Sequence, residues 1–184
     1  MFSLRLGPRP VGLLAPLLAG LLGACAAGPT PPASFRPGTA EAPRELNIIA
    51  SDYAFVPPVI RVVPGETVLI HVVNGGLEPH EAVIGDAAVQ AAWEAAEART
   101  AGHPPGPTPM VRVVPSLAGV RVFVSSGQRA DVRWTVPVAA GGGATSPSLG
   151  GGWFIGCHIP GHFEKGMVVP IEFVSSGAAA ARAA

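Results

Sequence analysis

The sequence predicts an all-β fold, an antiparallel β-sandwich with one inserted α-helix. Three observations predict it: apolar residues recur at every second position in separate short stretches, turn signals fall between those stretches, and a single alanine-rich segment breaks the alternation. Leu46, Ile48 and Ala50 make the first row, and Val68, Ile70 and Val72 the second. Val120, Val122 and Val124 follow, and then Val132, Trp134 and Val136, set against Asp131, Arg133 and Thr135. Such period-two rows place one face of a strand on a core and the other toward water. Pro64-Gly65 and Ser126-Gly127 supply turns between them. Several short strands at short intervals favour a sandwich over a parallel α/β sheet. The exception is Asp86 to Arg99, where Val89 and Trp93 stand four apart and Asp86 is placed as an N-cap; this reads as an amphipathic helix between strands. Gly102 to Pro109, which holds His103, reads as loop, and Ala139 to Gly151, mostly Gly, Ala and Ser, as a surface loop.

Domain boundaries come from composition. With 184 residues, 24 Gly, 21 Pro and only 13% charged residues, the chain suits one compact β-rich domain with long loops. A formal net charge of zero gives no electrostatic case for nucleic acid or for an anionic membrane surface. Residues 1–24 carry Arg5 and Arg9, then the apolar run Val11 to Leu22, and read as a signal peptide too short in its apolar part to be a transmembrane helix. Leu22-Gly23-Ala24-Cys25 matches a lipoprotein cleavage box, so Cys25 is the expected lipidation site and the protein is expected in the periplasm or cell envelope, tethered by lipid alone. Removal of residues 1–24 leaves ten basic against twelve acidic residues. Residues 25–44, rich in Pro, Ala, Gly and Thr, read as a flexible tether, 45–175 as the folded domain and 176–184 as a disordered tail.

One stretch carries chemistry. Cys157-His158-Ile159-Pro160-Gly161-His162-Phe163-Glu164-Lys165-Gly166-Met167 places a thiolate, an imidazole and a thioether at Cys-x4-His-x4-Met spacing, with Pro160 and Gly161 able to bend the loop. Soft sulfur donors with imidazole favour copper over magnesium or calcium, and a trigonal His2Cys set with a weak axial Met holds a redox-active copper ion. If Cys25 is lipidated, Cys157 has no disulfide partner, and a metal ion gives that thiol an occupation in an oxidising compartment. A second histidine is then required. Of His71, His80, His103 and His158, the best placed is His80, which follows the turn-rich link Asn74 to Pro79 and opens the apolar stretch Ala82-Val83-Ile84. His71 reads as a strand residue satisfied locally, His103 as a solvated loop residue, and Met110 lacks the motif spacing.

At these residues the chain resembles the cupredoxins, the type 1 blue copper proteins, and within them small bacterial periplasmic copper proteins with a similar Cys-His-x-Pro-Gly-His loop. The resemblance spans roughly Glu45 to Val174. It implies a Greek-key sandwich and one type 1 copper ion bound by His80, Cys157, His162 and Met167. Cys157 would supply the dominant bond, His80 and His162 would complete the plane, and Met167 would sit axially and tune the potential. Alternation along Trp153 to Cys157 sends Trp153, Ile155 and Cys157 to one face, inward, and His158 to the other, so His158 is expected to be exposed or to stand behind the ligands. Well-known members of the family follow the first His ligand with an Asn that braces the Cys loop; here Glu81 stands in that place.

The expected function is one-electron carriage between redox partners such as cytochromes or a copper or respiratory enzyme, by a monomer that is not itself an enzyme. Sequestration, delivery or tolerance of copper is the alternative. A catalytic role would need further histidine ligands, which the five histidines of the chain do not supply.

Overall fold

The computed structural model describes residues 36–138 and 152–174. The expected signal peptide, Cys25, the 139–151 loop and the 176–184 tail lie outside the described residues. Nine strands are described: β1 (Arg44–Ser51), β2 (Ala54–Val56), β3 (Ile60–Val62), β4 (Thr67–Asn74), β5 (His80–Asp86), β6 (Val120–Val124), β7 (Arg129–Thr135), β8 (Trp153–Gly156) and β9 (Val168–Phe173). They form two sheets, β2-β1-β4-β7 and β3-β9-β8-β5-β6. Pairing is mostly antiparallel, with two parallel pairs, β1 with β4 and β3 with β9. The parallel pairs arise because the chain leaves the first sheet after β2, contributes β3 to the second, and returns as β4 beside β1 in the same direction.

The alternating rows face each other across the sandwich. Ile48, Ala50, Val68, Ile70, Val72 and Trp134 from the first sheet pack in one cluster with Ala82, Ile84, Val122, Val124, Ile155 and Val169 from the second. Each fully buried aliphatic side chain of this kind contributes about 1.5–3 kcal/mol.

The second sheet is also covered on its outer face. The helix α1 (Ala87–Glu97) starts where Asp86 accepts a hydrogen bond from the Val89 backbone N–H at 2.9 Å, and a 3-10 turn (Ala98–Thr100) ends it. Val89 and Trp93 pack on Val83, whose side chain points away from the sandwich core. The helix lies so close that a Cβ on Gly85 would stand 2.4 Å from Val89 Cγ1, and one on Gly156 would stand 2.5 Å from Gln90 Oε1; only glycine permits that approach. As a result β5 is buried along six consecutive residues, from His80 to Gly85.

The expected tether from 25 to 44 ends earlier than its composition implies. Gly38 N–H donates to Glu66 Oε2 at 3.2 Å, Thr67 N–H donates to the Gly38 carbonyl, and Arg44 bonds the buried Glu66 carboxylate at 2.5 Å. A buried carboxylate needs such donors, and this one takes them from Gly38, from Arg44 at the start of β1 and from the Val63 N–H at 2.7 Å.

Candidate metal centre

Three strand ends and one turn bring the expected ligands together. His80 opens β5, Cys157 directly follows β8, His162 lies in the turn after it, and Met167 directly precedes β9. The turn is pinned by its own backbone: Cys157 N–H donates to the Met167 carbonyl at 3.0 Å, and Met167 N–H to the His162 carbonyl at 3.1 Å. Gly161 and Gly166, at φ 89° and 94°, make the two reversals this path requires.

The donor atoms converge. His162 Nδ1 lies 3.3 Å from His80 Nδ1 and 3.4 Å from Cys157 Sγ, and the three donor atoms stand within 4.8 Å of one another. Cys157, His80 and Met167 are each fully buried, and His162 is 4% exposed. Burial pushes the Cys157 thiol up to about 12 and the His162 imidazole down to about 4, the latter with help from the neighbouring His80. At neutral pH the thiol and the His162 imidazole are therefore uncharged, and a bound cation would displace the thiol proton. Two nitrogens and one thiolate, with the buried Met167 bonded through its backbone to Cys157 and His162, fit copper.

The surroundings fix each ligand. Glu81 N–H points at Cys157 Sγ at 3.5 Å. Asp52 Oδ1 lies 2.7 Å from His80 Nε2, on the far side of that ring from the donor cluster. The Leu77 N–H, ahead of His80 and Glu78, holds the Asp52 carboxyl below its ordinary range. The Tyr53 ring meets His162 edge-on at 4.7 Å and carries the Lys165 ammonium 3.6 Å from its centroid.

Glu81, noted in the sequence as a departure from the Asn of well-known family members, braces the cysteine loop. Its Oε1 accepts from His158 N–H at 3.2 Å, and its Oε2 is bonded by Arg121 at 2.5 Å. Burial raises the Glu81 pKa, and the Arg121 charge opposes that rise. His158 is not exposed, contrary to one expectation from strand alternation: it is 1% exposed because α1 covers the outer face toward which it points. There its Nε2 lies 2.7 Å from Gln90 Oε1, its Nδ1 2.7 Å from Glu94 Oε2, and its ring stacks on Phe163.

The remaining candidates stand apart. His71 is buried on the first sheet beside Asp131 at 2.9 Å, His103 is exposed, and Met110 is 55% exposed. Asp52, Tyr53, Gln90 and Arg121 were not singled out by sequence reasoning. They are single residues 27 positions or more from the His or Glu partner each one contacts, and no spacing rule links them.

The chain is 34% identical over 138 residues to a protein of Rubrivivax gelatinosus named copper-resistant cuproprotein CopI, covering 72% of this chain and 68% of that one. It belongs to the CopI family of cupredoxins. A second CopI cuproprotein, from Pseudomonas aeruginosa, is 31% identical over 148 residues, covering 70% of this chain and 75% of that one. Among solved structures, reduced auracyanin from Roseiflexus castenholzii superposes on this cupredoxin with a TM-score of 0.52 at 20% identity, covering 71% of this chain and 96% of that one. That likeness establishes the two-sheet fold. No family model matches the sequence. His80, Cys157, His162 and Met167 thus form the type 1 copper site of a copper-binding cupredoxin.

Proposed function

We propose that this cupredoxin serves copper tolerance, holding copper in the cell envelope so that it does not bind or oxidise other proteins. The observation that carries the reading is the buried, converged His80, Cys157 and His162 cluster in a chain whose relatives bear the name copper-resistant cuproprotein. Bound copper would supply single-electron redox chemistry. The chain's own residues keep the donors converged and away from bulk water. Export through residues 1–24 and lipidation at Cys25 complete the proposal.

Copper(II) added to the purified protein should produce an intense thiolate-to-copper absorption in the visible that disappears in Cys157→Ser; a colourless wild type refutes the site. In a bacterium lacking the protein, the wild type should restore growth on copper and Cys157→Ser should not. Equal growth with both would sink the tolerance reading. Mass spectrometry of the membrane fraction should find a diacylglyceryl group on Cys25.

A second reading, electron carriage to partners such as cytochromes, is favoured by the backbone bonds that hold Cys157 and Met167 together independently of metal. A site so constrained rearranges little between oxidation states. Stopped-flow oxidation of the reduced protein by candidate cytochromes tests it, and rates no faster than with unrelated proteins would refute it. Both readings treat the chain as a binding or electron-transfer protein and not as an enzyme.

A further inference from the structure

We propose that Asp52 is a positioning and charge-setting residue of the copper centre, acting through His80; the inference rests on the copper reading above. A neutral imidazole carries one hydrogen, on either nitrogen. His80 Nδ1 faces His162 Nδ1 at 3.3 Å, while His80 Nε2 faces Asp52 Oδ1 at 2.7 Å. A carboxylate can only accept, so the hydrogen sits on Nε2 and the Nδ1 lone pair is left for the metal.

Asp52 is itself oriented for this contact. Its Oδ2 accepts from Leu77 N–H at 2.8 Å, and its Oδ1 accepts from Glu78 N–H at 3.3 Å. Gly76 leaves the space: a Cβ there would stand 2.2 Å from Asp52 Oδ1 and 3.0 Å from His80 Nε2. Two features far apart in sequence, an acid before β2 and a glycine in the β4–β5 link, thus serve one contact.

The carboxylate has two effects. It selects the ring tautomer, which matters for either oxidation state, and it places a negative charge one ring from the metal, which favours copper(II) over copper(I). Removing an orienting partner of this kind costs about 10–100-fold in metal affinity. Where the loss falls on copper(II), the reduction potential rises by about 59 mV for each tenfold.

The test compares wild type, Asp52→Ala, Asp52→Asn and Gly76→Ala by copper(II) titration, reduction potential and nitrogen-15 NMR of the histidine rings without metal. Wild type should show His80 as the Nε2–H tautomer with a slowly exchanging proton. Asp52→Ala and Gly76→Ala should both weaken copper(II) binding about 10–100-fold and raise the potential. Asp52→Asn keeps an acceptor for Nε2–H without the charge, so it should retain the tautomer and still raise the potential, by less. A purely structural role would lower thermal stability and leave the potential unmoved. Should Asp52→Ala not fold, Asp52→Asn decides alone: a raised potential supports the inference, and an unchanged one overturns it. Failure of the wild type to bind copper would instead refute the copper reading.

Discussion

Replacing Gln90 tests how the helix is fastened to the copper-bearing sheet. Gln90 is 3% exposed, and its Nε2 donates to the carbonyls of Val83 at 3.0 Å, Gly85 at 3.3 Å and Phe154 at 3.2 Å. Because Nε2 meets only acceptors, the amide can point one way only, and Oε1 accepts from His158 Nε2–H at 2.7 Å. Gln90→Ala leaves that buried N–H without a partner, at about 1–3 kcal/mol, and loses bonds to three carbonyls at about 0.5–1.5 kcal/mol each. The carbonyls of β5 and β8 keep their ladder bonds, so the total falls nearer 3–5 kcal/mol than the full sum, by an order-of-magnitude reckoning. Urea unfolding of the metal-free protein, read as a midpoint shift at constant slope, measures it. Gln90→Glu sharpens the test by setting a carboxylate against three carbonyl oxygens. That acid's folded pKa would be raised above its unfolded value of about 4.3, so the variant should lose stability progressively as pH rises above that value. A loss below about 1 kcal/mol for Gln90→Ala, or a Gln90→Glu variant that does not weaken with rising pH, would refute this account of the fastening.

Four further outcomes are expected. Arg121→Met strands Glu81, whose side chain is 0% exposed, and should cost about 3–5 kcal/mol, most of it recovered in Glu81→Gln/Arg121→Met; unfolding curves of both variants check this. Gly156→Ala pushes its Cβ to 2.5 Å from Gln90 Oε1 and should cost about 1–3 kcal/mol, whereas a neutral result would contradict the close seating of α1. Asp131 is held at about 2 by Arg129 and then His71, so its contribution is present above the unfolded value of about 3.9 and is lost as pH falls toward 2; Asp131→Asn should flatten the acid limb of a stability–pH profile there. With the thiol near 12 and His162 near 4, copper uptake at neutral pH should release about one proton, measurable as buffer-dependent heat in calorimetry.

The residues of the copper loop were legible because their information is local. Cys157, His162 and Met167 share one turn, and their spacing declares a common centre. The rows that became β1, β4, β6 and β7 were legible because one side of each faces the core, and α1 because Asp86 caps it. What stayed hidden was non-local or short. β2 and β3 have three residues each, too few for a period to register. The parallel pairing of β1 with β4 depends on a sheet crossover that leaves no residue pattern. His158 was misjudged because alternation gives the side of a strand and not what lies against that side, and here α1 does. Asp52 is one acid beside a tyrosine, and nothing in its neighbourhood marks it as a partner of His80.

The backbone bond from Cys157 to Met167 joins the two ends of the ligand loop across a β8–β9 hairpin. Residues 158–166 therefore lie between two stems that this bond and the β8–β9 ladder hold in register. Changes between the stems that spare His158, which is tied to Glu81, Gln90 and Glu94, and the ligand His162 are expected to alter the metal's surroundings while the sandwich keeps its fold. The stems thus carry the fold and the nine residues between them carry the metal's immediate surroundings.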